Sequence, residues 1–395
     1  MSKPKFSIVI PYKQRLDNIR LCFESLAEQT LDSGEFEVLV GAMEYSPEYV
    51  ALCREFTGRL TIVSVLSAED WQITKARNLA MRQASGQVMV QLDADMALPP
   101  RFLENLYARH FAYGQNVCVI GQMIGYDNNN SDVDSVEAKP FAHYRQKLAE
   151  LDAADEVLLD MRMQVDHVIP WAFAWTALIA LPTALVREHA LYFDEDFRGY
   201  GVEDLEWAHR ISATGTPLVM GRDVYGIHLP HTRSVSGNRE TERLNYRRFV
   251  RKWPGADVEL AAAFGDFEAN GHAMEFRREL ATVTADASGT GDRAPAVVLG
   301  AQDGQSVLVV GAVVDAGQTE PPAGLGIRFD AHPRPEVLPL AGLALPFPDR
   351  SIDVCHVLPP VTRFSPQYRK AVLGEAERVA KTLVEPVGRE QDPTV

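Results

Sequence analysis

From Phe6 to about Leu280 the sequence predicts an α/β fold, a mostly parallel sheet with helices on both faces. Short apolar, β-branched runs alternate with longer segments whose apolar residues recur at helical spacing. Such alternation is what parallel strands require, because each must be joined to the next by a long crossover. The second observation is the run "VQLDADM" (residues 90–96), in which an apolar strand ends in two carboxylates one residue apart. Open α/β sheets bind ligands beyond the carboxyl ends of their strands, so these acids stand where a ligand is expected.

The elements follow in order. Residues 6–10 read as a buried strand that stops at Pro11-Tyr12, where a loop begins. Leu16, Ile19, Cys22, Phe23, Leu26 and Ala27 mark a helix over 16–29, "EVLV" (37–40) a second strand, 47–57 a helix, 60–65 a third strand and 73–84 a helix closed by Gly86. The strand 87–92 delivers Asp93 and Asp95, and 99–111 and 117–124 read as the next helix and strand. Residues 126–138 are polar and turn-rich, a surface loop without the glycine and terminal glutamate of a calcium loop, and a helical region follows to about Met163. "DEDFRGYGVEDLEWAHRISATG" (194–215) is a glycine-punctuated loop that carries Glu203-Asp204 into an amphipathic helix, and "GIHLPHTRS" (226–234) brings two histidines. After "RRFVRKWP" (247–254) a short helix leads to "TADASGTGDRAPA" (284–296), small, polar and breaker-rich. The expected division is therefore a domain at 1–282, a linker at 283–297 and a small α/β module at 298–395.

The 395 residues suit two domains, one large and one small. With 54 acidic against 39 basic residues the net charge is -15, so the surface as a whole repels phosphate backbones and anionic lipid, and no nucleic-acid partner is expected. Cys22, Cys53, Cys118 and Cys355 show no metal or CxxC spacing, and three of them sit in apolar surroundings. The N-terminal "MSKPKFSIVIPY" is too short for a signal peptide, and no apolar run reaches the ~18 residues of a membrane span. A cytoplasmic protein without a transmembrane segment is expected.

Two carboxylates at alternate positions past a strand cannot both be buried without partners, so they face solvent or a cation. One reading is a helix N-cap beside a solvated turn acid. The other is a divalent cation held by oxygen ligands and by the phosphates of a nucleotide, acting as a Lewis acid on a leaving diphosphate.

"FSIVIPYKQR", "KARNLAMRQASGQVMVQLDADM" and "FRGYGVEDLEWAHRI" resemble the successive signatures of family-2 glycosyltransferases with the GT-A fold, over about Phe6 to Pro254. The glycine-rich acidic loop also resembles that of galactosyl- and N-acetylgalactosaminyl-transferases and chondroitin-type polymerases. The resemblance implies that Pro11-Tyr12 opens a pocket for the nucleotide base and that Arg15 and Arg77 face base, ribose or diphosphate, Arg77 being otherwise an exposed helix arginine. It gives Asp93 the ribose or the metal and Asp95 the metal, Mn²⁺ or Mg²⁺, with His228 and His231 as further ligands, His231 slightly favoured. Asp204 becomes the base that takes the acceptor's proton, with Glu203 bonding donor or acceptor hydroxyls; the plain reading of "GVEDLE" is a charged helix start favoured by the dipole. Trp171 and Trp175 either shape the sugar pocket or fill the core. Where relatives carry "VVDDGS" this chain has "VLVGAMEYS", with Ala42 and Met43 replacing the acids and Glu44 one residue further on as the substitute, so UDP is the expected carrier on the resemblance alone.

Past the linker, "SVLVVGAVVDAG", "LPLAGLALPFPDRSIDVCHVL" and "VLGEAERVAKTL" resemble the first half of an S-adenosylmethionine methyltransferase domain. Val313 and Val314 stand where small residues would let the backbone approach the cofactor, and the chain ends before a second half. The expectation is a vestigial Rossmann-like module for packing or homo-oligomer association.

The expected function is an inverting, metal-dependent transfer of a sugar from a nucleotide diphosphate donor to an acceptor hydroxyl, the acceptor being open between glycan, lipid, peptide and small molecule. The alternative with the same fold is a catalytically inactive nucleotide-sugar-binding or scaffolding protein. A nucleotidyltransferase would need a glycine-bearing loop after the first strand, and "PYKQRLDN" has none.

Overall fold

The computed structural model describes residues 3–125, 132–136, 139–154, 156–232, 234–285 and 292–385. The chain divides into two compact units, Met1–Asn245 and Tyr246–Val395.

In the first unit β1 (Phe6–Tyr12), α1 (Leu16–Ala27), β2 (Phe36–Ala42), α2 (Pro47–Glu55), β3 (Ile62–Leu66), α3 (Ile73–Met81) and β4 (Val88–Leu92) alternate as expected. Then come β5 (Met96–Ala97), α4 (Phe102–Leu106), β6 (Cys118–Ile124), α5 (Phe141–Asp152), β7 (Leu178–Pro182), α6 (Thr183–Glu188), α7 (Glu203–Ala213), β8 (Leu218–His228) and α8 (Val235–Lys252), the last crossing the division between units. The sheet order is β3-β2-β1-β4-β7-β6-β8-β5. Its first four strands are parallel, β7 enters antiparallel between β4 and β6, β6 and β8 are parallel, and β5 is antiparallel to β8. The predicted α/β class is thus present, with a parallel half up to β4 and a mixed half beyond it. The apolar face of β1, β2 and β4 packs on α1, α2 and α4 in one core that includes Ile8, Ile10, Phe23, Val38, Leu52, Val90 and Leu103.

Two boundaries differ from expectation, and a third expected segment is largely undescribed. β1 runs on through Pro11 and Tyr12, which pair with Gly41 and Ala42. Pro11 lies past the end of the β4 ladder, which stops at Val9, and there a strand tolerates a missing donor. The expected helix at 99–111 is α4 followed by a π turn, Tyr107–Phe111. The loop at 126–138 falls largely outside the described residues.

The second unit holds α9 (Ala256–Phe264), α10 (Asp266–Thr284), β9 (Arg293–Gln302), β10 (Gln305–Asp315), β11 (Glu336–Leu338), β12 (Ile352–Val357), α11 (Pro366–Val379) and β13 (Ala380–Val384), with sheet order β11-β9-β10-β12-β13. α9 and α10, expected with the first domain, belong here. One tie is Glu259 of α9, which is fully buried and accepts the N–H groups of Ala341 at 2.7 Å and Gly342 at 2.8 Å. β9 begins inside the expected linker because Arg293 to Ala296 pair with Asp315 to Ala312. That pairing also carries β10 straight through Val313 and Val314, so a strand stands where the methyltransferase resemblance implies a glycine-rich loop.

Candidate active site

The chain turns at the end of β4: the Met96 N–H donates to Asp93 O at 3.2 Å, and the Asp93 N–H to Ala177 O at 3.2 Å. The turn sends the two carboxylates of "DAD" to different partners. Asp95 is buried, and Leu229 N–H donates to its carbonyl at 2.7 Å where β5 pairs with β8, Met96 opposite His228. This register carries "HLPH" to the acid. His231 Nδ1 lies 3.1 Å from Asp95 Oδ2, and His228 Nε2 lies 3.9 Å from Oδ1.

Asp95, His228 and His231 each offer one ligand atom within 4.8 Å of the others. Among the described residues Asp95 Oδ1 and His231 Nδ1 are buried without a hydrogen-bond partner, a state that buried polar atoms rarely keep. A carboxylate with two imidazoles is a donor set for a divalent transition cation, so the residues fit the metal that the sequence resemblance implies. Burial lowers the His231 pKa from its ordinary value despite the nearby Asp95, which favours the neutral imidazole, the form a cation would need. Burial alone would raise Asp95, but His228, Arg15 and His231 outweigh it and hold the carboxyl below the usual range. Arg15 pairs directly with Asp95 Oδ2. Asp93 is not in this cluster.

Asp93 instead accepts from Arg77 Nη2 at 3.2 Å. Arg77 reaches it because α3 lies very close to β2: a Cβ at Gly41 would stand 1.8 Å from Ala76 O. At 2% exposure Arg77 is neither a surface helix arginine nor open to a nucleotide. Its Nη1 donates to Glu203 Oε1 at 3.1 Å and its guanidinium lies 5.0 Å from the Phe193 ring centroid. One buried cation therefore joins the acid after β4 to the acid that opens α7, a single positive charge shared by two carboxylates.

The loop before α7 reaches Glu203 through backbone in the left-handed region, φ 76° at Gly199, 86° at Gly201 and 73° at Val202. For a β-branched residue that conformation is strained. Asp204 Oδ1 accepts the Leu205 N–H at 2.9 Å, and burial, then the charge of Glu203, push its pKa up to about 7. Among the described residues Glu203 Oε2 is buried with no partner. The pair thus offers one carboxylate that titrates near neutrality and one free acceptor oxygen.

The other expected residues are less directly placed. Tyr12 is buried and stacked on Tyr49, ring centroids 4.4 Å apart, so with Pro11 it belongs to the core rather than to an open pocket wall. Glu44 Oε1 accepts the Gln14 N–H at 2.6 Å and braces the loop that carries Arg15. Trp171 is 4% exposed with its ring edge-on to His209, whereas Trp175 is partly exposed over the Arg162 guanidinium at 4.5 Å.

Residues 7–158 match the family described as Glycosyl transferase family 2. The validoxylamine A glucosyltransferase of Streptomyces hygroscopicus subsp. limoneus is 28% identical over 417 residues, which cover 97% of this chain and 90% of that protein. The protein is a glycosyltransferase. Chondroitin synthase of Escherichia coli is 25% identical over 60% of this glycosyltransferase and 36% of its own length. Among solved structures, S. aureus TarS 1–349 in complex with UDP-GlcNAc is 17% identical with a TM-score of 0.48, over 72% of this chain and 77% of that one.

Two features of the glycosyltransferase escape the sequence reading. Arg162 is fully buried, donating to Phe173 O at 2.8 Å, to Gly121 O at 2.9 Å and to Asp160, and so supports Trp175 from below. Asn245 of α8 is buried against the glycine loop. An arginine flanked by methionines and an amide in a highly charged helix are the signals that could have marked them. Among the described residues no helix is long and apolar enough to cross a membrane.

Proposed function

We propose that this glycosyltransferase transfers glucose from UDP-glucose to a hydroxyl of a small polyhydroxylated acceptor of the validoxylamine A type, with inversion and with a bound divalent cation. The observation that carries the chemistry is the adjacency, through Arg77, of Asp93 and the Glu203–Asp204 pair, with Asp93 two residues before the Asp95 of the Asp95–His228–His231 cluster. The choice of donor sugar and acceptor is supported by relatives matched over nearly their whole length.

In this reading Asp204 takes the acceptor hydroxyl's proton as that oxygen attacks the anomeric carbon; the bond from that carbon to the diphosphate oxygen breaks, and UDP leaves from the opposite face. A pKa near 7 keeps a good fraction of Asp204 ionised at neutral pH while leaving it basic enough to hold the proton. Glu203 Oε2 accepts from a sugar hydroxyl, and Asp93, oriented by Arg77, accepts from the ribose. Asp95, His228 and His231 would hold Mn²⁺ or Mg²⁺, the two imidazoles favouring Mn²⁺. When bound, the cation neutralises charge on the departing diphosphate.

The test is titration calorimetry with UDP-glucose, with Mn²⁺ and with chelator, followed by turnover with validoxylamine A. Binding that needs the cation and is lost in Asp95→Ala is expected. Equal UDP-glucose affinity with chelator, or in that variant, would remove the metal assignment.

A further inference from the structure

We propose that Asn245, together with Thr241 one turn before it on α8, is a positioning residue that holds the loop at 198–202 in the form that presents Asp204; this rests on the reading of Asp204 as the base. Thr241 and Asn245, four apart, lie on one face of α8. Asn245 is 1% exposed, and its Nδ2 donates to Arg198 O at 3.0 Å and to Gly201 O at 2.8 Å. Thr241 Oγ1 accepts the Tyr200 N–H at 3.1 Å. A Cβ at Gly199 would meet Thr241 Cγ2 at 2.7 Å, so helix and loop are in direct contact.

The loop needs such a hold. Gly199, Gly201 and Val202 all have positive φ, and a β-branched residue keeps that conformation only where its surroundings dictate it. Arg198 O lies just before the strained segment and Gly201 O within it, directly before Val202, and one amide group is bonded to both. Without it two carbonyls lose their donor, Val202 relaxes toward an ordinary conformation, and the start of α7 shifts with it. Asp204 is only two residues further on. A displacement of about 1 Å at a reacting group costs on the order of a hundredfold in rate.

Three variants decide it: Asn245→Asp, which keeps the volume but offers the carbonyls no N–H, Thr241→Val, which keeps the shape but removes the acceptor, and Asp204→Asn in parallel. The readouts are kcat and KM for UDP-glucose with validoxylamine A, their pH profile, and amide hydrogen exchange of residues 198–206. Asn245→Asp is expected to lower kcat by roughly a hundredfold with KM for UDP-glucose within about threefold, and to speed exchange in the loop. A fall in kcat at nearly unchanged KM, with faster exchange confined to residues 198–206, separates the clamp from a general loss of stability, which would speed exchange throughout the unit. Thr241→Val is expected to lower kcat by roughly tenfold with faster exchange at Tyr200, and if Asn245→Asp does not fold, this variant decides alone. Turnover within about twofold of the parent together with unchanged loop exchange, in a folded variant, overturns the proposal. Full turnover in Asp204→Asn with fast loop exchange in Asn245→Asp would overturn the base assignment and leave the clamp. Lost turnover in Asp204→Asn with parental exchange and turnover in Asn245→Asp would do the reverse.

Discussion

At the scale of single residues the chemistry turns on how the protein treats neighbouring acids. Asp95 is held below the usual carboxylate range by His228, Arg15 and His231 in spite of burial, whereas Asp204 is pushed up to about 7 by burial and by Glu203. A base must be deprotonated to act, so kcat/KM should rise with pH through a limb near 7. Asp204→Asn should lose that limb and lower turnover by roughly two to four orders of magnitude, with donor and metal binding nearly intact. A parental pH profile in that variant would take the role away from Asp204. The acids and histidines are legible in the sequence as candidates, although a strand-end cap and a dipole-favoured helix start are plain readings of the same acids that only the fold can weigh. The partners of Arg77 are not, since Asp93 is 16 and Glu203 is 126 residues away and only the folded sheet brings them to one guanidinium. Tyr12 shows the converse error: an aromatic at a strand end suggests a pocket wall, but the stacked Tyr49 claims its face.

At the scale of elements, alternation of strand and helix up to β4 is readable because each run has one period and a breaker at its end. Beyond β4 the sequence reading marks β6 but not β5, β7 or β8, nor that β7 inserts antiparallel between β4 and β6, since strand pairing depends on residues far apart in the chain. The glycine loop before α7 is the element most sensitive to a small change. Gly201 has φ 86°, and an added Cβ would meet Glu242 Cγ at 3.3 Å. Gly201→Ala should therefore cost about 1–2 kcal/mol, lowering the melting temperature of the first unit by roughly 3–6 °C. Its turnover should fall by more than that loss of folded protein explains, because the loop delivers Glu203 and Asp204. A variant that melts early but turns over normally at low temperature would show that the loop's conformation is not tied to the reaction.

At the scale of the whole molecule, composition and the breaker-rich stretch announce two units but misplace their border. The misplacement has a physical source: α9 reads as a helix wherever it packs, and nothing local reveals that Glu259 accepts N–H groups from a segment some eighty residues later. Burial pushes the Glu259 pKa up to about 7 against the pull of those N–H groups, above its ordinary value of 4.5. A carboxyl whose pKa is raised on folding stabilises the fold below its unfolded pKa and loses that contribution as pH climbs through the folded one. The second unit should thus lose roughly 3 kcal/mol between about pH 4.5 and 7.5, and Glu259→Gln should flatten that dependence. Urea unfolding at two pH values, followed by hydrogen exchange in β9 and β10, checks it; an unchanged slope in the variant would assign the dependence elsewhere. α8 has a different consequence, one for anyone wishing to obtain the first unit alone. Its 18 residues run without a break from Val235 to Lys252 through the border at Asn245 and Tyr246, so the border lies inside a hydrogen-bonded helix rather than in a loop that a protease can enter. Limited digestion should spare it, and a shortened gene should stop after Lys252, since a stop codon after Asn245 would leave the residue bonded to Arg198 O and Gly201 O at a fraying end.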